Sequence, residues 1–126
     1  MQRIAKNYSW ANLPVDHPID LIDRCRVIGD QMMISYLTLH QGFHVAPHEH
    51  DNEQFTVMLS GKLRFEIFDN DGIEPRILEI GAGEVLHLPG GVRHGATALE
   101  TSVLLDLFSP PAEFTGVDQK SKKLRS

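Results

Sequence analysis

The stretch Gly42-Phe43-His44-Val45-Ala46-Pro47-His48-Glu49-His50-Asp51-Asn52-Glu53-Gln54 decides how this chain is read. His48 and His50 are one residue apart, so on extended backbone both imidazoles leave the same face and can converge on one ion. Gln54 has the same parity, and Glu53 the opposite one, unless a turn intervenes between His50 and Gln54. Four of the seven histidines, His40, His44, His48 and His50, fall within this short region. Imidazole suits a first-row transition metal. A lone His-x-His is more often ordinary surface or core histidine, so the remainder of the chain has to supply further ligands.

Outward from that stretch the sequence reads as short β-rich runs divided by turn residues, with no long apolar period of 3.6. The expected strands are 24–28, 32–40, 54–59, 62–68, 76–80, 84–88, 94–98 and 102–108. Ser60-Gly61 and Asp69-Asn70-Asp71-Gly72 read as hairpin turns, and Gly81-Ala82-Gly83 and Pro89-Gly90-Gly91 as turns that tolerate positive φ. The fold class expected is all-β, a sandwich or closed barrel. With 126 residues there is room for one domain. Residues 1–23 read as an arm with an edge strand, 24–110 as the barrel, and 111–126, opened by Pro110-Pro111, as a trailing tail.

Composition excludes several function classes. Hydrophobic residues at 41% and charged residues at 23% are those of a globular chain, and a net charge of −5 gives no general field for nucleic acid. The only basic run is the tail from Lys120 to Arg125, read as a solvated end. One cysteine, Cys25, cannot form an intramolecular disulfide and is read as structural. No apolar window reaches membrane-spanning length, and residues 1–20 lack a leader-like apolar run, so a cytoplasmic location and no membrane partner are expected.

Two spaced patterns resemble the cupin family. Gly42, His48, His50 and Gly61 occupy the places of its first motif, Gly-x5-His-x-His-x3-Glu-x6-Gly, with Gln54 at the glutamate position. Gly83, Pro89, Gly91 and His94 match the second motif, Gly-x5-Pro-x-Gly-x2-His-x3-Asn, with Ala98 at the asparagine position. The resemblance covers roughly residues 24 to 110. It implies a double-stranded β-helix (jelly-roll) barrel holding one divalent transition metal, Ni, Zn, Mn or Fe, through His48, His50, Gln54 and His94. Three imidazoles and an amide oxygen leave the ion its full formal charge, which favours an anionic small-molecule ligand and Lewis-acid chemistry.

The string His48-Glu-His50 to Gln54, with the late run Leu104 to Pro111, also resembles the small cupins of pectin and alginate breakdown that linearise unsaturated uronates. Their late strand reads Asp-x-Phe-x-Pro-x-Arg. Asp106 and Phe108 match it and are implied as the acid–base group and a substrate wall, whereas Ala112 stands where that group has arginine. Arg64, Arg76 or Arg93 is expected to compensate, with Arg64 and Arg93 taken as substrate-binding. From the residues alone, Asp106 shares a face with Leu104 and Phe108, so it is either exposed on an outer face or held in a pocket with a raised pKa; the barrel placement that the resemblance implies favours the pocket. His44 and His87 are candidates for lining the pocket, with exposed polar positions as the plainer reading, and His17 and His40 are taken as structural.

The functional expectation is a non-redox, metal-assisted isomerase or lyase acting on a small sugar-acid-like anion. An Fe(II) dioxygenase and a non-catalytic small-molecule sensor are the alternatives. Small cupins commonly pair through edge strands, so a homodimer is expected.

Overall fold

The computed structural model of the chain describes residues 3–70 and 73–118. Among the described residues nine strands form two antiparallel sheets: β1 (Ile22–Ile28), β2 (Met33–Leu39), β3 (His44–His48), β4 (Glu53–Ser60), β5 (Lys62–Phe68), β6 (Arg76–Gly81), β7 (Val85–Leu88), β8 (Arg93–Ala98) and β9 (Ser102–Ser109). One sheet has the order β1-β2-β9-β4-β7 and the other β3-β8-β5-β6. The all-β jelly roll expected from the sequence is the fold observed. Among the described residues no helix is long and apolar enough to cross a membrane.

Alternation along the strands fixes the interior. On β2, Met33, Ser35, Leu37 and Leu39 are buried; on β5, Leu63, Phe65 and Ile67 are. Each set spaced by two turns to one face. The facing apolar side chains, including Ile22, Phe43, Met58, Leu63, Ala98 and Leu104, form a continuous core. That core fills one end of the barrel. Towards the other end the same strands change character. Met58 pairs with Leu104, Thr56 with Asp106 and Gln54 with Phe108 along β4 and β9, and Ser35 pairs with Asp106 from β2. The inward layers therefore pass from apolar to polar, and the polar layer is where a site can form.

Three boundaries differ from expectation. The segment 44–48, absent from the expected strands, is β3, and its ladder to β8 carries an irregularity between Val45 and His48. β1 begins at Ile22, inside the segment taken as an arm. Residues 113–118 do not trail away: Thr115, Gly116 and Asp118 are buried, and Gly116–Asp118 form a 3₁₀ turn against the barrel. The basic run Lys120–Arg125 and the centre of the turn at 69–72 lie outside the described residues.

Gly61, in the β4–β5 turn, has φ +87°, and a Cβ there would come within 2.6 Å of both the Ser102 Cα and the Thr101 carbonyl oxygen. Both the left-handed backbone and the absent side chain are required. Gly61→Ala is expected to cost about 2–4 kcal/mol, read as a lowered denaturant midpoint.

Candidate metal centre

Three inward imidazoles meet at the polar end of the barrel. His94 on β8 is paired across the ladder with His48 on β3, and His50 follows in the connection to β4. Their ring centroids lie 4.5 Å (His48–His94), 5.3 Å (His50–His94) and 5.9 Å (His48–His50) apart. One ligand nitrogen from each falls within 4.8 Å of the others.

The hydrogen bonds decide which nitrogen that is. His48 Nδ1 faces the Ala46 carbonyl at 2.9 Å, His50 Nδ1 the Asn52 carbonyl at 3.0 Å, and His94 Nδ1 the Val92 carbonyl at 2.8 Å. A carbonyl only accepts, so each Nδ1 carries the proton and donates it. In the neutral ring the Nε2 lone pair is then free, which is the ligand form, with its orientation held by a backbone partner. Burial is the main cause holding the His94 pKa down, to about 4, and the neighbouring His48 and His50 lower it further. Burial lowers His48 as well, with a smaller contribution from His50. Both are thus held neutral near pH 7.

Gln54 completes the set. Its Nε2 donates to Thr56 Oγ1 at 3.0 Å, which fixes the amide so that Oε1 points at His50 Nε2, 3.1 Å away. Two acceptors face each other there when His50 is neutral. A cation between them turns that repulsion into two ligand bonds, so the donor set fits a divalent ion. Glu53, by contrast, is exposed and bonds His87 at 2.7 Å on the outer surface. Gln54→Ala is expected to weaken metal binding at least about tenfold, and Glu53→Ala to leave it unchanged. Equilibrium metal titration of the two variants checks this.

The polar layer continues from Gln54. Thr56, fully buried, accepts from Gln54 and donates to Asp106 Oδ1 at 2.6 Å. Desolvation raises the Asp106 pKa to about 6, against the lowering effect of its hydrogen bonds with Thr56 and Gln54. Asp106 lines the cavity, the pocket alternative of the two left open by the sequence. Phe108 is beside it on the same wall, edge-on to His50 with centroids 5.7 Å apart. His48, Gln54, His94, Asp106 and Phe108 share one cavity of about 60 Å³.

Not every expected residue is here. Arg64 and Arg93 are exposed on the outer face, because each alternates with buried neighbours, Leu63 and Phe65 for the first and His94 for the second. Arg93 lies over the Phe68 ring at 4.9 Å. Arg76 pairs with Asp69 at 2.6 Å, also outside. His44 bonds Thr97 and His87 stacks on Phe55, both exposed; His17 and His40 bond around Asp23. The arginine that does line the cavity is Arg24 of β1, which the sequence reading passed over. Its parity with Ile22 is the signal that would have found it, had β1 been started two residues earlier.

The Cupin_2 family profile, described as a cupin domain, matches residues 35–108, more than half of the chain. The chain is a cupin. No curated protein matches it. Among solved structures, this cupin is similar to KdgF from Halomonas sp. (TM-score 0.75, 23% identity, 87% of this chain and 97% of that one). It is similar to an RmlC-like cupin from Shewanella frigidimarina (TM-score 0.75, 22% identity, 90% and 97%). A Lactobacillus farciminis oxalate decarboxylase in complex with formate also matches (TM-score 0.75, 20% identity), although this cupin spans about a third of that chain, 36%. These likenesses place the fold. The histidine triad, within that fold, makes this a cupin of the metal-binding kind, for a divalent ion.

Proposed function

We propose that this cupin is a non-redox isomerase or lyase that linearises a small anionic sugar acid of the unsaturated-uronate class. The observation carrying the proposal is the hydrogen-bonded row Gln54–Thr56–Asp106, which sets a carboxyl with its pKa raised to about 6 on the same cavity wall as the metal ligands.

A divalent ion held by His48, His50, His94 and Gln54 supplies Lewis acidity towards a substrate oxygen. The remaining work falls to the chain. Opening an unsaturated uronate ring takes the proton of the hemiacetal hydroxyl and breaks the ring C–O bond, which leaves an aldehyde and an enolate, and protonating the enolate carbon gives the ketone. The net reaction moves one proton and adds nothing. A single carboxyl can take the first proton and return the second, and a pKa near 6 suits both roles near neutral pH. Thr56 donates to Oδ1 of Asp106 and so holds the carboxyl in place on the cavity wall. Phe108 supplies an apolar wall beside it. The resemblance of Asp106 and Phe108 to the late strand of the uronate-linearising cupins supports this choice of substrate class.

The test is turnover of an unsaturated uronate by the metal-loaded protein, followed by loss of the conjugated double bond's ultraviolet absorbance. Turnover under argon with zinc, equal to that in air, is the expected result; a requirement for O₂ and iron would establish the dioxygenase alternative instead. Ligand binding without turnover would establish the sensor alternative. We further propose a homodimer formed through an edge strand, β7 of the five-stranded sheet, where Val85 is exposed. Light scattering during size exclusion, giving twice the 14.2 kDa chain mass, is the expected outcome.

A further inference from the structure

We propose that the segment Glu113–Asp118 is a lid over the metal centre, and that Asp118 latches it by occupying Arg24, the group that receives the ligand's carboxylate when the lid opens. The inference rests on the anionic ligand proposed above and names the residue that recognises it.

Three observations carry it. First, Gly116 packs against the His48 ring: a Cβ built on Gly116 would overlap His48 Nε2 and the two ring carbons flanking it. Only glycine lets the backbone lie that close to a metal-ligating nitrogen. With Thr115 and Val117 it closes the cavity to about 60 Å³, room for a few water molecules and too little for a sugar acid.

Second, the segment is tied down by one ion pair. Arg24, 4% exposed, donates from Nη1 to Asp118 Oδ2 at 3.0 Å and from Nη2 to Asp118 Oδ1 at 3.1 Å. This is the paired geometry in which a guanidinium grips any carboxylate. Asp118 also accepts from the Thr115 backbone N–H at 2.8 Å and from its hydroxyl at 3.3 Å, which makes the turn rigid. Arg26 adds a bond to the Glu113 carbonyl at 2.8 Å.

Third, Arg24 keeps a second partner that belongs to the barrel side of the contact. Asp16, bridged to Arg24 through the backbone, accepts from Nε at 2.8 Å and from Nη2 at 2.7 Å. When Asp118 leaves, Asp16 still orients the guanidinium, and Nη1 turns into an unfilled donor. Arg24 lines both the metal cavity and a second cavity of about 260 Å³ on the far side of the latch, whose other walls include Asp16, Arg26 and Glu113. Lifting the lid joins the two. A ligand carboxylate then takes the place of the Asp118 carboxylate, charge for charge, and Arg24 does what neither Ala112 nor the outward Arg64 and Arg93 can.

The experiment uses the zinc-loaded full chain, its Asp118→Ala and Gly116→Ala variants, and the Arg24→Ala/Asp118→Ala double variant. Stopped-flow extraction of zinc by EDTA reads lid opening with no assumption about substrate. Asp118→Ala releases the latch and Gly116→Ala pushes the lid off the ring with the latch intact, so both should lose zinc at least about tenfold faster than wild type. Zinc loss at the wild-type rate in either variant overturns the lid. Calorimetric titration with D-galacturonate and with glycolate then reads the subsite. Binding should tighten about tenfold in Asp118→Ala, and the gain should vanish in the double variant and for galacturonate methyl ester. A gain that survives in the double variant, or no gain with either carboxylate, overturns Arg24 as the carboxylate group. An Arg24-dependent gain with glycolate alone supports Arg24 and counts against the sugar-acid function.

Discussion

Asp106→Asn is expected to lower kcat on an unsaturated uronate by roughly 10²–10⁴-fold while leaving metal content unchanged. The amide keeps the shape and still accepts from Thr56, so it removes the movable proton and little else. The same variant has a stability signature in the metal-free protein. Asp106 has its folded pKa raised from 3.8 to about 6, so the wild type holds its full stability below pH 4 and loses part of it as pH climbs through 6. Asparagine carries no such burden. Asp106→Asn should therefore be more stable than wild type above pH 7, by at most roughly 3 kcal/mol, with the difference shrinking towards pH 4. Chemical unfolding in the presence of EDTA at the two pH values checks this.

His94→Ala is expected to weaken divalent metal binding by more than roughly 100-fold, beyond what the loss of an outer partner causes. His94 is the most buried of the three histidines, at 3% exposure, and lies between the other two rings. Without it, two imidazoles and the Gln54 amide oxygen remain, one donor short of the set of four. Competition titration against a chromogenic chelator reads the loss. A change of tenfold or less would mean that the ion is held elsewhere.

The parts of this molecule that were legible in the sequence are those governed by local rules. β5 was bounded at both ends because Leu63, Phe65 and Ile67 alternate without interruption between Gly61 and Asp69. His48 and His50 were legible from their shared parity, and His94 only through the resemblance of Gly83, Pro89, Gly91 and His94 to the second cupin motif. β3 was not, since Pro47 and the irregular ladder beside it interrupt the alternation that marks a strand. The outward direction of Arg64 and Arg93 could have been read from their buried neighbours; the need for a carboxylate partner was given more weight than parity. The lid was not legible at all. Thr115 and Asp118 have no periodicity, and their burial depends on a guanidinium 94 residues away in the chain.

We propose that Nε2 of His48, His50 and His94 together with Oε1 of Gln54 hold one divalent ion. Crystals of the zinc-loaded protein, measured above and below the zinc absorption edge, test it most directly. The account predicts one anomalous peak per chain, about 2.0–2.2 Å from each of those four atoms. A peak bound to any other set of side chains, or none at this end of the barrel, would contradict it.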